Sequence, residues 1–131
     1  MVQVTQSSRP MVIDLAVIGQ IRALEARGSQ GLLRKLVVKF ADTGPATVAD
    51  MRAMFVTGDP ETLWRGAHGL KSSAGIVGGV QVSARCVEIE RVVRRDGTAA
   101  AAALIDQLDA AADAAIEQLK ALSSDDDATA R

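Results

Sequence analysis

The sequence predicts an all-α protein, an antiparallel up-and-down four-helix bundle with an additional N-terminal helix or helices. Apolar residues recur at helical spacing over residues 14–122, and no segment sustains the strict apolar–polar alternation of a half-buried strand. The breaks between helical runs are short, which makes consecutive helices antiparallel neighbours. With 131 residues, 48% hydrophobic and 24% charged, the chain has the size and composition of one compact domain with a sizeable core. Only 2% of residues are aromatic, so that core must be aliphatic. The expected limits are a flexible segment at 1–11, a helical domain at 12–122 and a flexible acidic tail at 123–131.

The first helix begins at Asp14, whose carboxylate suits the free amides of a first turn. It continues through Leu15, Ile18, Ile21 and Leu24 until Gly28, and it is expected to lie across one end of the bundle. Over residues 29–42, Leu32, Leu33, Leu36, Val37 and Phe40 form one broad stripe. Thr43, Gly44 and Pro45 are expected to break the chain there, with Pro45 in the first turn of a third helix carrying Val48, Met51 and Phe55. After Thr57 and Gly58, Asp59 and Pro60 form a cap and first-turn pair for a fourth helix running to about Gly75.

GIVGG loosens the backbone, and a fifth helix starts near Val80 with Val82, Cys86, Ile89 and Val93 at spacings of 4, 3 and 4. Arg94, Arg95, Asp96 and Gly97 close it, the arginines reading as a solvated helix end near backbone carbonyls. The last helix spans about 98–122, with a seam of Ile105, Leu108, Ala112, Ala115, Leu119 and Leu122. That seam is Ala-rich and barely three heptads long, which favours packing inside the bundle over a coiled-coil dimer and a monomer over an oligomer. The tail SSDDDATAR should fray, its aspartates solubilising it without metal-binding spacing.

Composition excludes several classes of function. Fifteen Lys plus Arg against sixteen Asp plus Glu leaves no basic excess for a nucleic-acid backbone. One Cys and one His supply neither an internal disulfide nor a four-ligand zinc site, and Cys86 falls on an apolar stripe as a small buried hydrophobe. With no apolar run long enough for a signal peptide or a membrane span, a cytoplasmic protein with no membrane partner is expected. Met1 and the two polar ends favour an independent protein over a module of a longer one.

The one chemical constellation surrounds His68. At about 100° per residue, Leu63, Ala67, Leu70, Ala74 and Val77 fall between roughly 180° and 260° from His68, and Trp64, Arg65, Lys71, Ser72 and Gly75 lie within about 60° of it. The histidine therefore stands opposite the core. Lys71, one turn on, can place an ammonium beside whatever the imidazole carries, and Arg65 can add a cation at the edge. Ser72 and Gly75 leave a notch that another protein could approach, and Trp64 is either a docking residue or a half-buried residue at the bundle edge. An unperturbed imidazole has a pKa of about 6.5, so at neutral pH a large fraction is uncharged and nucleophilic at one ring nitrogen. No phosphate-binding glycine loop is present, so carriage of a phosphoryl group fits better than nucleotide chemistry.

The string AHGLKSSAGIVGG at residues 67–79 resembles the histidine-containing phosphotransfer domain of multistep bacterial phosphorelays. Ala67, His68, Leu70, Lys71, Ser73, Ala74, Gly75 and Gly78 occupy matching positions, and CVEIE at 86–90 agrees. Ser72 departs, standing where many members have glycine. The likeness covers about residues 12–122 and implies a phosphocarrier rather than an enzyme. His68 would accept a phosphoryl group from the phosphoaspartate of one receiver domain and pass it to another. Lys71 would stabilise its charge, and Trp64, Arg65, Ser72 and Gly75 would form part of the docking face. The implied partners are response-regulator receiver domains and a hybrid sensor histidine kinase. The chain needs no cofactor of its own, with Mg²⁺ expected in the receiver. Two other classes of function remain. The phosphoacceptor domain of a sensor kinase would have an acidic residue directly after the histidine, where this chain has Gly69. A helical adaptor would carry an inert His68.

Overall fold

The structure, a computed structural model, describes residues 12–130, without the side chains of residues 55–57 and 125–130. Five α-helices follow one another, α1 (Leu15–Ala26), α2 (Leu32–Thr57), α3 (Pro60–Ile76), α4 (Val80–Asp96) and α5 (Ala102–Ala130), with a 3₁₀ turn at Thr98–Ala101 leading into α5. The described residues contain no strand. Helices α2 to α5 form the bundle, with α2 packed on α3 and α5, and α4 packed on α3 and α5. Its core is aliphatic, built around Leu33, Met51, Leu63, Ile89, Leu108 and Leu119, with Phe40 the aromatic member of the buried cluster.

Helix α1 lies across the end of the bundle where α2 and α4 begin and α3 ends. Asp14 caps it by accepting from the Ala16 amide at 2.9 Å, and the Asp14 amide donates to the Gly78 carbonyl at 2.7 Å in the α3–α4 turn. At its other end Glu25 accepts from the Leu33 amide at 2.9 Å and so satisfies a free donor in the first turn of α2. Ile18 and Ile21 are buried as expected, but Leu15 and Leu24 are exposed, because a helix lying over an end contributes a narrower stripe than one inside the bundle.

Thr43, Gly44 and Pro45 do not break the chain. The two helices expected at 29–42 and from Pro45 are one, α2, with Pro45 in its interior. Pro45 lacks the amide that would bond to the carbonyl four residues back, a cost of about 3 kcal/mol in an isolated helix. Packing offsets that cost, since Val37 and Phe40 before the proline and Val48 and Met51 after it are all buried in the same core. Threonine hydroxyls also stay on the helix, Thr43 donating to the Lys39 carbonyl and Thr47 to the Thr43 carbonyl, each at 2.9 Å. The expected place of Phe55 on this side lies outside the described side chains.

Asp59 accepts from the amides of Glu61 and Thr62, and Pro60 follows at the first helical position, so α3 starts where the cap predicts. Two glycines set how closely neighbours approach. A Cβ on Gly66 would lie 2.8 Å from Met51 Cγ, so α2 and α3 meet there without a side chain between them. Gly78 has φ +75°, and a Cβ there would lie 2.9 Å from the Asp14 carbonyl oxygen. The backbone of α5 continues past Leu122 to Ala130, with Ser123 buried and donating to the Lys120 carbonyl at 3.2 Å. The flexible segment expected at 1–11 and the side chains of the acidic tail fall outside the described residues. Among the described residues no helix is long and apolar enough to cross a membrane.

Candidate functional site

Leu63, Ala67, Leu70 and Ala74 are buried along one side of α3, which turns His68 outward with its side chain 51% exposed. The ring is not left free. Nδ1 of His68 lies 3.3 Å from Oε1 of Glu90 on α4, and Oε2 of the same carboxylate lies 2.9 Å from Nζ of Lys71. Glu90 is 13% exposed, so one nearly buried carboxylate joins the two residues expected to carry the chemistry. Its ion pair with Lys71 is close but poorly directed, and Oε2 has no hydrogen bond of good geometry. Burial pushes the Glu90 carboxyl up, but Lys71 and His68 together outweigh that and hold it below its ordinary value, so it is ionised at neutral pH. The register of α4 against α3 is fixed beside this contact by Ser83, whose hydroxyl donates to the Lys71 carbonyl at 3.2 Å.

Trp64, one turn before His68, stacks on the imidazole with ring centroids 4.9 Å apart and planes inclined by 11°. Arg94 of α4 places its guanidinium carbon 4.5 Å from the Trp64 ring centroid. Arg94 is exposed in the last turn of α4, as expected of a solvated helix end, and this contact also joins it to the site, whereas Arg95 pairs with its neighbour Asp96 at 2.9 Å. A shallow groove of about 440 Å³ runs beside the stack, with Trp64, Lys71, Val87, Glu90 and Arg91 among its lining.

The remaining expected residues separate. Arg65 turns to Glu61 on its own helix, at 3.2 Å, instead of towards His68. The Ser72 hydroxyl donates to the His68 carbonyl at 3.4 Å, a long bond that leaves the side chain exposed one turn beyond the ring. A Cβ on Gly75 would meet nothing within 4 Å, so no packing inside the chain requires a glycine there. Cys86 is fully buried, and desolvation, reinforced by the Glu90 charge, pushes its thiol up to about 12. It is a packing residue.

The sequence pattern assigned Glu90 no part in the site and did not place the exposed Arg94 against Trp64. Glu90 is four residues beyond Cys86 and three before Val93, at the edge of the buried stripe of α4, and a carboxylate in that position needs a partner. That was the available signal, but spacing along α4 cannot say which residue of α3 it meets.

The arrangement presents an imidazole with one nitrogen engaged and one open, beside Lys71, whose side chain is 32% exposed. Among the described residues no group of three or more His, Cys, Asp or Glu could hold a metal ion. Compared with family models, residues 35–122 match that of the Hpt domain. No significant match was found among curated proteins or solved structures.

Proposed function

The chain belongs to the Hpt domain family, whose members are phosphocarriers of phosphorelays without kinase activity of their own, and from that premise we propose that His68 is the phosphoacceptor. The observation that carries this reading is the Glu90 carboxylate at 3.3 Å from Nδ1 of an outward-facing His68. An ionised carboxylate only accepts hydrogen bonds, so the ring proton belongs on Nδ1 and the lone pair on Nε2. Nε2 then attacks the phosphorus of a receiver-domain phosphoaspartate. The bond from phosphorus to the aspartyl oxygen breaks as the bond to Nε2 forms, and the aspartate leaves as a carboxylate.

The phosphohistidine that results carries negative charge beside Lys71. The ammonium can turn from Glu90 towards it, and the Glu90 carboxylate, released from Lys71, stabilises the positive charge of the phosphorylated ring. Return to a second receiver follows the same path in reverse. The Mg²⁺ that such transfer uses is assigned to the receiver, because phosphoryl transfer is mostly positioning and charge stabilisation and one partner can bring the metal. Hybrid kinases supply the phosphoryl group through their receiver domains, and Ser72 and Gly75 form the part of α3 on which a receiver settles. Arg65, held by Glu61, contributes to docking only by leaving that pair.

The test is a shuttle. Purified phosphorylated protein is mixed with a panel of unphosphorylated receiver domains, and the loss of its label is followed. Discharge to at least one receiver, with the label appearing on aspartate, is expected. Retention of the label against the whole panel would defeat the carrier reading.

A further inference from the structure

A half-exposed imidazole has two side-chain torsions to fix, and one hydrogen bond does not fix both. The bond from His68 Nδ1 to Glu90 is 3.3 Å long, beyond the 2.7–3.2 Å range typical of a strong N–H···O bond. It anchors one edge of the ring and leaves the tilt of the plane open. Trp64 supplies the missing restraint, because the two rings stack with nearly parallel planes, inclined by 11°, at a centroid separation of 4.9 Å.

A tryptophan on a helix surface would itself sample several rotamers, so its restraint on His68 is only as good as its own. Trp64 is half-buried, and Arg94 reaches it from α4, 4.5 Å from the ring centroid. Among the described residues Arg94 has no carboxylate partner, so its guanidinium is free to stay on the indole.

Resting on the phosphocarrier reading, we infer that Trp64 and Arg94 are positioning residues. Arg94 holds the indole, and the indole holds the plane of the His68 ring so that Nδ1 keeps Glu90 and Nε2 faces the incoming phosphorus. Trp64 acts on the histidine itself and not only on the partner. The contact to His68 lies within α3, whereas the Arg94 contact depends on α4, so the two helices together set the aim of one ring.

Phosphoramidate separates positioning from docking, because this small donor reacts with imidazole without a protein partner. Its P–N bond breaks as the bond to Nε2 forms, and ammonia leaves. Trp64→Leu should slow phosphorylation of His68 by phosphoramidate about fivefold, on the scale of one lost stacking contact. Trp64→Phe, which keeps a flat ring, should restore the rate to within about twofold, and Arg94→Met should slow it about twofold. Nitrogen-15 shifts of the His68 ring should report a mainly Nδ1-protonated tautomer in the parent protein and a more mixed population in Trp64→Leu.

If Trp64→Leu leaves the phosphoramidate rate and the ring shifts unchanged, the inference is overturned. Slower transfer from receivers alone would then make Trp64 a docking residue, and a lower unfolding midpoint alone would make it a packing residue. Failure of the phosphocarrier reading looks different. No receiver would charge the parent protein, yet its ring shifts would still respond to Trp64→Leu.

Discussion

The carboxylate of Glu90 faces Nδ1 of His68 at 3.3 Å from a neighbouring helix, and its other oxygen lies 2.9 Å from Nζ of Lys71. Glu90→Gln keeps the size and one acceptor but removes the charge. It should slow phosphorylation of His68 about tenfold, with Glu90→Ala slower still, measured as the initial rate of label uptake from a receiver. Equal rates for all three proteins would show that the carboxylate is not needed to set the tautomer.

The same pairing gives a pH dependence of stability. Glu90 is held below its ordinary value of 4.5, so the folded state binds that proton less readily than the unfolded chain. Its contribution is fully present above the unfolded value and is lost as pH falls through the depressed folded value. Urea unfolding should therefore show an advantage of the parent over Glu90→Gln that is constant near neutral pH and shrinks below about 4.5. An advantage that grew on acidification would contradict the assigned direction.

Gly75 in the last turn of α3 and Gly78 in the α3–α4 turn should respond oppositely to alanine. At Gly78 a Cβ meets the Asp14 carbonyl and the backbone has φ +75°, so Gly78→Ala should lose about 3 kcal/mol in urea unfolding. At Gly75 a Cβ meets nothing, and Gly75→Ala should gain about 0.5–1 kcal/mol from helix propensity. If Gly75 serves the docking face, that more stable variant should take label from a receiver more slowly while its phosphoramidate rate stays within about twofold of the parent.

Cys86 offers a control on the core. Buried, with its thiol pushed up to about 12, it should resist iodoacetamide in the native protein and react once urea unfolds the chain. Rapid alkylation of native protein, with secondary structure retained, would show that α4 is not packed as described.

What the sequence disclosed follows the range of the forces involved. Asp14 and Asp59 announced the starts of α1 and α3 because a cap acts on amides within its own turn. The outward placement of His68 was legible because Leu63, Ala67, Leu70 and Ala74 fix the buried side of α3 by local periodicity alone. Pro45 misled because its local cost is offset by packing of Phe40, Val48 and Met51 against distant helices. Glu90 and Arg94 stayed hidden for a related reason. Their partners are set by the register of α4 on α3, which contacts such as that between Ser83 and the Lys71 carbonyl determine and spacing within one helix does not.

The proposed carriage of the phosphoryl group on His68 has one decisive test. It is label transfer from a panel of phosphorylated receiver domains to the parent protein and to His68→Gln, with folding of both verified by circular dichroism. An acid-labile, base-stable label is expected on the parent and none on His68→Gln. Label retained by His68→Gln, or absent from both folded proteins across the panel, would contradict it and leave a helical module whose histidine is inert.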